Sequence, residues 1–164
     1  MFGIVSRSLF LGLLWATAAP DAVPVPATVP LETQLLEVEA AQIEALGLVR
    51  RDTIDPEGLT VPSLWWTAQQ FGDKSLETWL AYPEVRRVDL VVNRQVWSLW
   101  DYLDRYQFVN HFGLAARYDG YNVRVFVRQQ PDVPVAAYTC NFESDPAICR
   151  MAIEATGRSI LDEL

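Results

Sequence analysis

The chain has 164 residues, of which 51% are hydrophobic and 12% aromatic, and its formal net charge is −8. This length and composition fit one compact domain with appendages. The acidic balance argues against a nucleic-acid partner, because the phosphate backbone would be repelled, and it favours solubility.

The first 18 residues have the layout of a secretory signal peptide. Arg7 supplies a short positive region, an apolar run over 9–16 follows, and Ala16-Thr17-Ala18 is an A-x-A cleavage site. The apolar run is shorter than the roughly 20 residues of a membrane-spanning helix. We therefore predict an exported protein that is cut after Ala18 and keeps no transmembrane segment.

The only two cysteines, Cys140 and Cys149, agree with export, since oxidising compartments favour disulfides. We predict a structural disulfide between them, which would join a final helix to the last strand. A redox pair usually has a C-x-x-C spacing, which these cysteines lack. A metal site needs more ligands than two thiols and a single histidine supply, so we expect no metal and no cofactor.

Residues 19–30, APDAVPVPATVP, are rich in proline and predict a stiff, extended tether. Residues 31–46 have an apolar side and an acidic side, which indicates an amphipathic helix that ends at Gly47. Two roles remain open for that helix: packing on its own domain and docking on a partner protein.

A second helix is predicted over 62–72, with Pro62 in its first turn and Ser63 as its cap. Trp65 and Trp66 would point about 100° apart on this helix, so that one core face does not easily bury both. One of them is therefore a candidate for an exposed aromatic anchor. The alternative is that neighbouring segments bury both. Residues 73–83 also have helical spacing of their apolar side chains.

The centre of the fold is predicted over 88–142 as strand, helical segment, strand, strand. Period-two alternation indicates strands at 88–92, 123–127 and 135–142, and the short turn at 130–132 makes the last two an antiparallel hairpin. The intervening helix has an apolar stripe whose phase shifts after Tyr106. This shift indicates a kink or two short helices, with the joint near Gln107 or Gly113. The stripe comprises Val96, Leu99, Trp100, Leu103 and Tyr106.

A final helix is predicted after Pro146, with Ile148, Ala152 and Ala155 on its inner side. The predicted fold class is therefore α+β, with a small antiparallel or mixed sheet of about three strands in a β-α-β-β core. Helices would cover that sheet, with further helices towards the N-terminus. One domain would occupy 31–164, with its core at 62–156.

Recognised catalytic motifs are absent from the sequence. His111 is the only histidine, and neither a G-x-S-x-G elbow nor a glycine-rich phosphate loop occurs. Asp101 and Asp104 are predicted on an outer helix face, whereas acid–base catalysis needs carboxylates in a cleft. We therefore do not expect an enzyme. A catalytic alternative would need His111 or Tyr102 in a cleft.

A small-ligand site is a further hypothesis. Asn93 and Arg94 lie where the first predicted strand of the 88–142 region passes into its helix, a common place for ligands in open sheets. Arg124 and Arg128 project from one side of the next strand, and with Asp89 they would form a patch of mixed charge. The alternative is ordinary cross-strand pairing on a solvated face.

Several strings resemble a family of small exported cyanobacterial proteins with no assigned function. They are VPSLWW, WLAYPEVRRVDLVVNRQVWSLWDYLDRYQFVNHFG, YNVRVF and AAYTCNF, and the resemblance covers roughly 62–149. It implies the periplasm or the thylakoid lumen and supplies no catalytic residue. The leading hypothesis is a soluble, non-enzymatic accessory factor that binds another protein or a membrane complex. A small-ligand module and an unrecognised enzyme are the alternatives.

Overall fold

The computed structural model describes residues 22–53, 61–72, 74–154 and 160. The predicted signal peptide lies outside these ranges. The described residues form a mixed sheet of six strands, which lie side by side in the order in which they occur in the chain. The strands are β1 Val49–Arg50, β2 Leu76–Tyr82, β3 Arg87–Val92, β4 Asn122–Val127, β5 Ala136–Asn141 and β6 Ile148–Ile153.

Two three-stranded antiparallel meanders share this sheet, and they meet at β3 and β4, which run parallel. The helices are α1 Ala40–Ala45, α2 Trp65–Thr67, α3 Arg94–Leu99 and α4 Tyr102–Tyr118; 3₁₀ turns span Thr33–Leu36 and Pro83–Val85, and a π-turn at Ala68–Gly72 follows α2. Parallel neighbours need a long crossover, and α3 and α4 provide it between β3 and β4. The α+β class and the β4–β5 hairpin are confirmed, but the predicted sheet of about three strands was too small.

Two of the extra strands were predicted as helices, and both predictions were wrong. In β2, Trp79 and Leu80 are both fully buried although they point to opposite faces of the sheet. A strand that is covered on both faces loses its polar alternation, so its apolar residues imitate helical spacing. The predicted final helix is instead the edge strand β6, which pairs with β5.

The kink or joint predicted from the shift of phase after Tyr106 was wrong, because α4 runs without a break through Gln107 and Gly113; the crossover breaks earlier, at Trp100 and Asp101. Asp101 caps α4, and its side chain and that of Asp104 form a reciprocal capping box. The predicted apolar stripe was wrong, because Leu99 is 85% exposed and Leu103 and Tyr106 also face outward. The inner side of α4 consists instead of Phe108, Val109, Phe112, Gly113 and Ala116.

Different segments of the chain pack on the two faces of the sheet. Helix α4 packs on one face over the main hydrophobic core, which includes Trp79 and Phe112. The N-terminal segment covers the other face. There Leu31 contacts Val91 and Phe126, and Ile43 of α1 packs in a separate cluster. The predicted amphipathic helix is thus a 3₁₀ turn and a short α-helix that pack on their own domain.

The disulfide between Cys140 and Cys149 is confirmed. Because the predicted final helix is a strand, the bond joins directly opposed residues of β5 and β6. Replacing both cysteines by alanine is expected to lower the free energy of unfolding by about 2–3 kcal/mol, because the unfolded chain gains the freedom of a loop of about ten residues. Urea unfolding measures this loss, and a change below about 0.5 kcal/mol would contradict it.

Candidate functional site

Trp65 and Trp66 both point outward from the short helix α2. The inner side of this segment consists of Leu64, Thr67 and Ala68, which are buried. With that side turned to the core, the two tryptophans are left on the outside, and they are 50% and 53% exposed. The structure thus places both candidate anchors at the surface.

Further aromatic rings connect the tryptophans to α4. The ring of Trp66 meets Phe71 edge-on at 6.1 Å, and Phe71 stacks flat on the ring of His111 at 3.7 Å. A cleft of about 240 Å³ opens beside this stack, between Phe71, Trp100, Phe108, His111 and the polar side chains of Asp104 and Gln107. We call Trp65, Trp66, Phe71 and His111 the aromatic surface.

The outward side of α4 extends this surface. Positions three and four residues apart lie together on a helix, so Leu103 and Leu114 lie on the same side of α4 as His111. The exposed large side chains of α4 are Tyr102, Leu103, Tyr106, Leu114 and Tyr118.

His111 lies beside the cleft of about 240 Å³, as the catalytic alternative required. Within the described part of the chain, no hydrogen bond joins His111 to a carboxylate or hydroxyl, and its ring face is occupied by Phe71. Tyr102 lies on the exposed side of α4. The described residues also contain no group of three or more side chains that could hold a metal ion, and none of their helices is long and apolar enough to cross a membrane.

Arg124 and Asp89 form a buried ion pair in the middle of the opposite sheet face. They are neighbours in the parallel β3–β4 register, and Nε and Nη2 of Arg124 donate to the two carboxylate oxygens of Asp89 at 2.8 and 2.7 Å. Nη1 of Arg124 donates to the carbonyl oxygens of Ala27 and Val29. Arg124 therefore makes a cross-strand pair and also holds the chain that crosses over it.

That crossing chain is the proline-rich segment. Residues 22–31, which we call the strap, run extended across the sheet face, with Pro26 and Leu31 buried. The amide of Leu31 donates to the carbonyl of Pro131 at 2.7 Å. The segment predicted as a tether thus lies against the domain from Val25 onward.

The other residues predicted for a ligand site lie apart from Arg124. Asn93 caps α3, because its Oδ1 accepts from the amides of Gln95 and Val96, and Arg94 is exposed at the start of that helix. Asn93 follows Asp89 by four residues, which is about 13 Å along a strand. Arg128 pairs with Glu37.

A polar row at the other end of β3 was missed by the sequence analysis. Arg87 lies opposite Asn122 on β4, and the antiparallel register of β5 continues the row to Thr139. A cleft of about 170 Å³ lies over this row, with the strap residues Val25–Ala27 as one wall. The only available signal was the period-two spacing of Arg87 from Asp89, and it did not show what lies above them.

Burial also determines the charge state of Tyr82, which lies beside this row. The guanidinium of Arg87 lies over the ring of Tyr82 at 4.2 Å. Burial raises the pKa of the Tyr82 hydroxyl far above its ordinary value, so Tyr82 stays neutral at physiological pH and adds no negative charge.

No protein-family model matches this chain, and no curated protein or solved structure is significantly similar to it.

Proposed function

We propose that this protein is an exported, non-enzymatic accessory factor that binds another protein through the aromatic surface. The observation that carries the proposal is the pair Trp65 and Trp66, each about half exposed beside the Phe71–His111 stack. Tryptophan and tyrosine are the residues that most often dominate binding energy at protein interfaces. Their rings bury much area with little loss of side-chain freedom.

The proposed partner is a protein whose surface is apolar at its centre and basic around it. The net charge of −8 favours a basic rim on the partner, because complementary potentials speed and orient association. The same charge disfavours an anionic lipid surface, which attracts basic segments instead. A contact centred on the aromatic surface and continued along α4 would need about 800 Å² on each side for a stable complex.

The proposed location is the periplasm or the thylakoid lumen. Three features support it: the signal-peptide layout of residues 1–18, the Cys140–Cys149 disulfide, and the resemblance to exported cyanobacterial proteins. A disulfide is compatible with an oxidising compartment. An enzymatic role remains the less favoured alternative; activity in a substrate screen that His111→Ala abolished would support it.

The decisive test compares assemblies isolated after gentle membrane solubilisation. We expect the tagged wild-type protein to migrate in an assembly larger than its monomer, with a partner identified by mass spectrometry. The double variant Trp65→Ala/Trp66→Ala should lower the affinity for that purified partner at least tenfold, because truncating anchor residues costs about 2 kcal/mol or more. Rising salt should also weaken the complex, because the partner's rim is basic.

The matched control is Phe142→Ala, which removes another partly exposed aromatic outside the aromatic surface and should leave the affinity unchanged. A monomer with no partner would overturn the proposal, and so would a folded double variant that binds as tightly as the wild type. Binding of the isolated protein to anionic vesicles in place of a protein would overturn the choice of partner class.

A further inference from the structure

The cleft between the strap and the polar sheet face is separate from the aromatic surface, because the strap and α4 lie on opposite faces of the sheet. We infer that this cleft binds a small monocarboxylate, whose carboxylate group would lie on Arg87, Asn122 and Thr139. This inference goes beyond the proposed function, and each can fail without the other.

The floor of the cleft is a row of hydrogen-bond donors without enough acceptors. Arg87 is 12% exposed at its side chain, and its buried Nε lies 3.3 Å from Oδ1 of Asp89 but makes no hydrogen bond. Asn122 accepts from the amide of Cys140 through Oδ1 at 2.8 Å, which leaves its amide nitrogen as the donating end. Thr139 is 4% exposed, and its hydroxyl has no hydrogen-bond partner in the described ranges. Of these three donors, the Nε of Arg87 is the one that is fully buried without a hydrogen bond, and such donors are normally paired.

The side chains at the floor of the cleft carry a net positive charge that one carboxylate would neutralise. Arg87 and Arg124 both line the cleft, and no acidic side chain does. Asp89 lies beneath them and is paired with Arg124 on two oxygens, with a longer contact of 3.3 Å to Arg87. Arg87, Arg124 and Asp89 together therefore carry about one unit of positive charge, and a further carboxylate, that of Glu32, lies beside Tyr82. A carboxylate fits the planar fork of an arginine.

The side chains on the sides of the cleft indicate the chemistry of the rest of the ligand. Val25 and Pro26 of the strap and Val85 before β3 are apolar and face the donor row. The volume of about 170 Å³ is well above what one water molecule needs. The complementary ligand is therefore a carboxylate with a short hydrocarbon chain. Because the strap forms a wall, a ligand bound there also holds the strap against the sheet.

The test is a titration of the purified, disulfide-bonded chain with sodium butyrate, followed by two-dimensional amide NMR at constant ionic strength. We expect saturable shifts at the amides of Val25, Ala27, Thr139 and Cys140. Butyramide, which has the same shape without the charge, should cause no saturable shift there. Arg87→Gln should weaken butyrate binding at least tenfold.

Arg94→Gln is the matched control, because it removes an exposed arginine at the other end of β3 and should bind butyrate as the wild type does. Thr139→Val provides a second variant of similar volume in case Arg87→Gln does not fold, and it should also weaken binding. The inference is overturned if butyrate gives no saturable shift, if butyramide binds equally well, or if the folded variants at positions 87 and 139 keep full affinity. Loss of binding in Arg94→Gln alone would also overturn it.

Discussion

Replacing Arg124 by methionine is expected to lower the free energy of unfolding by about 3–5 kcal/mol, which is the usual loss when one partner of a buried ion pair is removed. The Asp89 carboxylate would stay fully buried and lose the two hydrogen bonds that Arg124 donates. The carbonyls of Ala27 and Val29 would lose their donor as well. Urea unfolding with the disulfide intact measures the change.

The double variant Asp89→Leu/Arg124→Met is the informative companion. It removes both charges together, and apolar replacements of a buried pair are often neutral or stabilising. We therefore expect it to recover most of the stability that Arg124→Met loses. The strap would still lack the donor for its carbonyls, so limited proteolysis should cut near residues 25–30 faster than in the wild type.

Two results would contradict this account of the ion pair. One is a loss below about 1 kcal/mol in Arg124→Met, which would mean that the existing contact of Arg87 with Asp89 is enough to stabilise the buried carboxylate. The other is an unchanged cleavage rate in the double variant, which would mean that the apolar contacts of Leu31 hold the strap without Arg124.

Replacing Gly113 by alanine is expected to destabilise the fold by about 1–3 kcal/mol or more, the range for overpacking a filled core. A Cβ at this position would meet the ring of Tyr138 on β5, with Cδ1 at 2.9 Å and two further ring carbons closer still. Tyr138 is itself buried, so its ring has little room to move. In an exposed helix the same change would be favourable by about 1 kcal/mol.

A double-mutant cycle separates this contact from helix propensity. Tyr138→Leu alone should cost stability, but in its background Gly113→Ala should be neutral or stabilising, because the ring no longer opposes the added methyl group. Leu114→Ala, at the next and exposed position of α4, serves as the control and should change stability by less than about 0.5 kcal/mol. A stabilised Gly113→Ala single variant would contradict the close approach of α4 to the sheet.

The role of Gly113 could not be predicted from the local sequence pattern. Gly113 was predicted as a possible joint, and glycine does weaken helices. Helix α4 instead runs through it without a break from Tyr102 to Tyr118. Its small size serves a contact with a residue 25 positions later, and such a contact has no signal in the local sequence.

The candidate surfaces were predicted to different extents. Trp65 and Trp66 stood out because adjacent residues on a helix diverge in direction, and this geometry needs no knowledge of the fold. The Phe71–His111 stack was not predicted, because it joins the end of the α2 segment to the middle of α4. The cleft was not predicted either, because its wall and its floor come from segments about 60 residues or more apart in the chain.

The sequence by itself determined the features that depend on near neighbours. These are the α+β class, the strands β3, β4 and β5, the hairpin between β4 and β5, and the disulfide. Alternating side chains, turn residues and cysteine spacing are local, so they can be recognised without the fold.

Tertiary structure alone decided which faces are buried. β2 is buried on both faces, with Trp79 in the main core and Leu80 against side chains of the N-terminal segment, and this removed the alternation that would have marked it as a strand. The outward turn of Leu99, Leu103 and Tyr106 has a related cause: α3 and α4 separate at Trp100 and Asp101, and each helix then buries a side of its own, which holds Trp97 in α3 and Phe108, Val109, Phe112, Gly113 and Ala116 in α4. Burial depends on which distant segment arrives to cover a face, and a local pattern cannot contain that information.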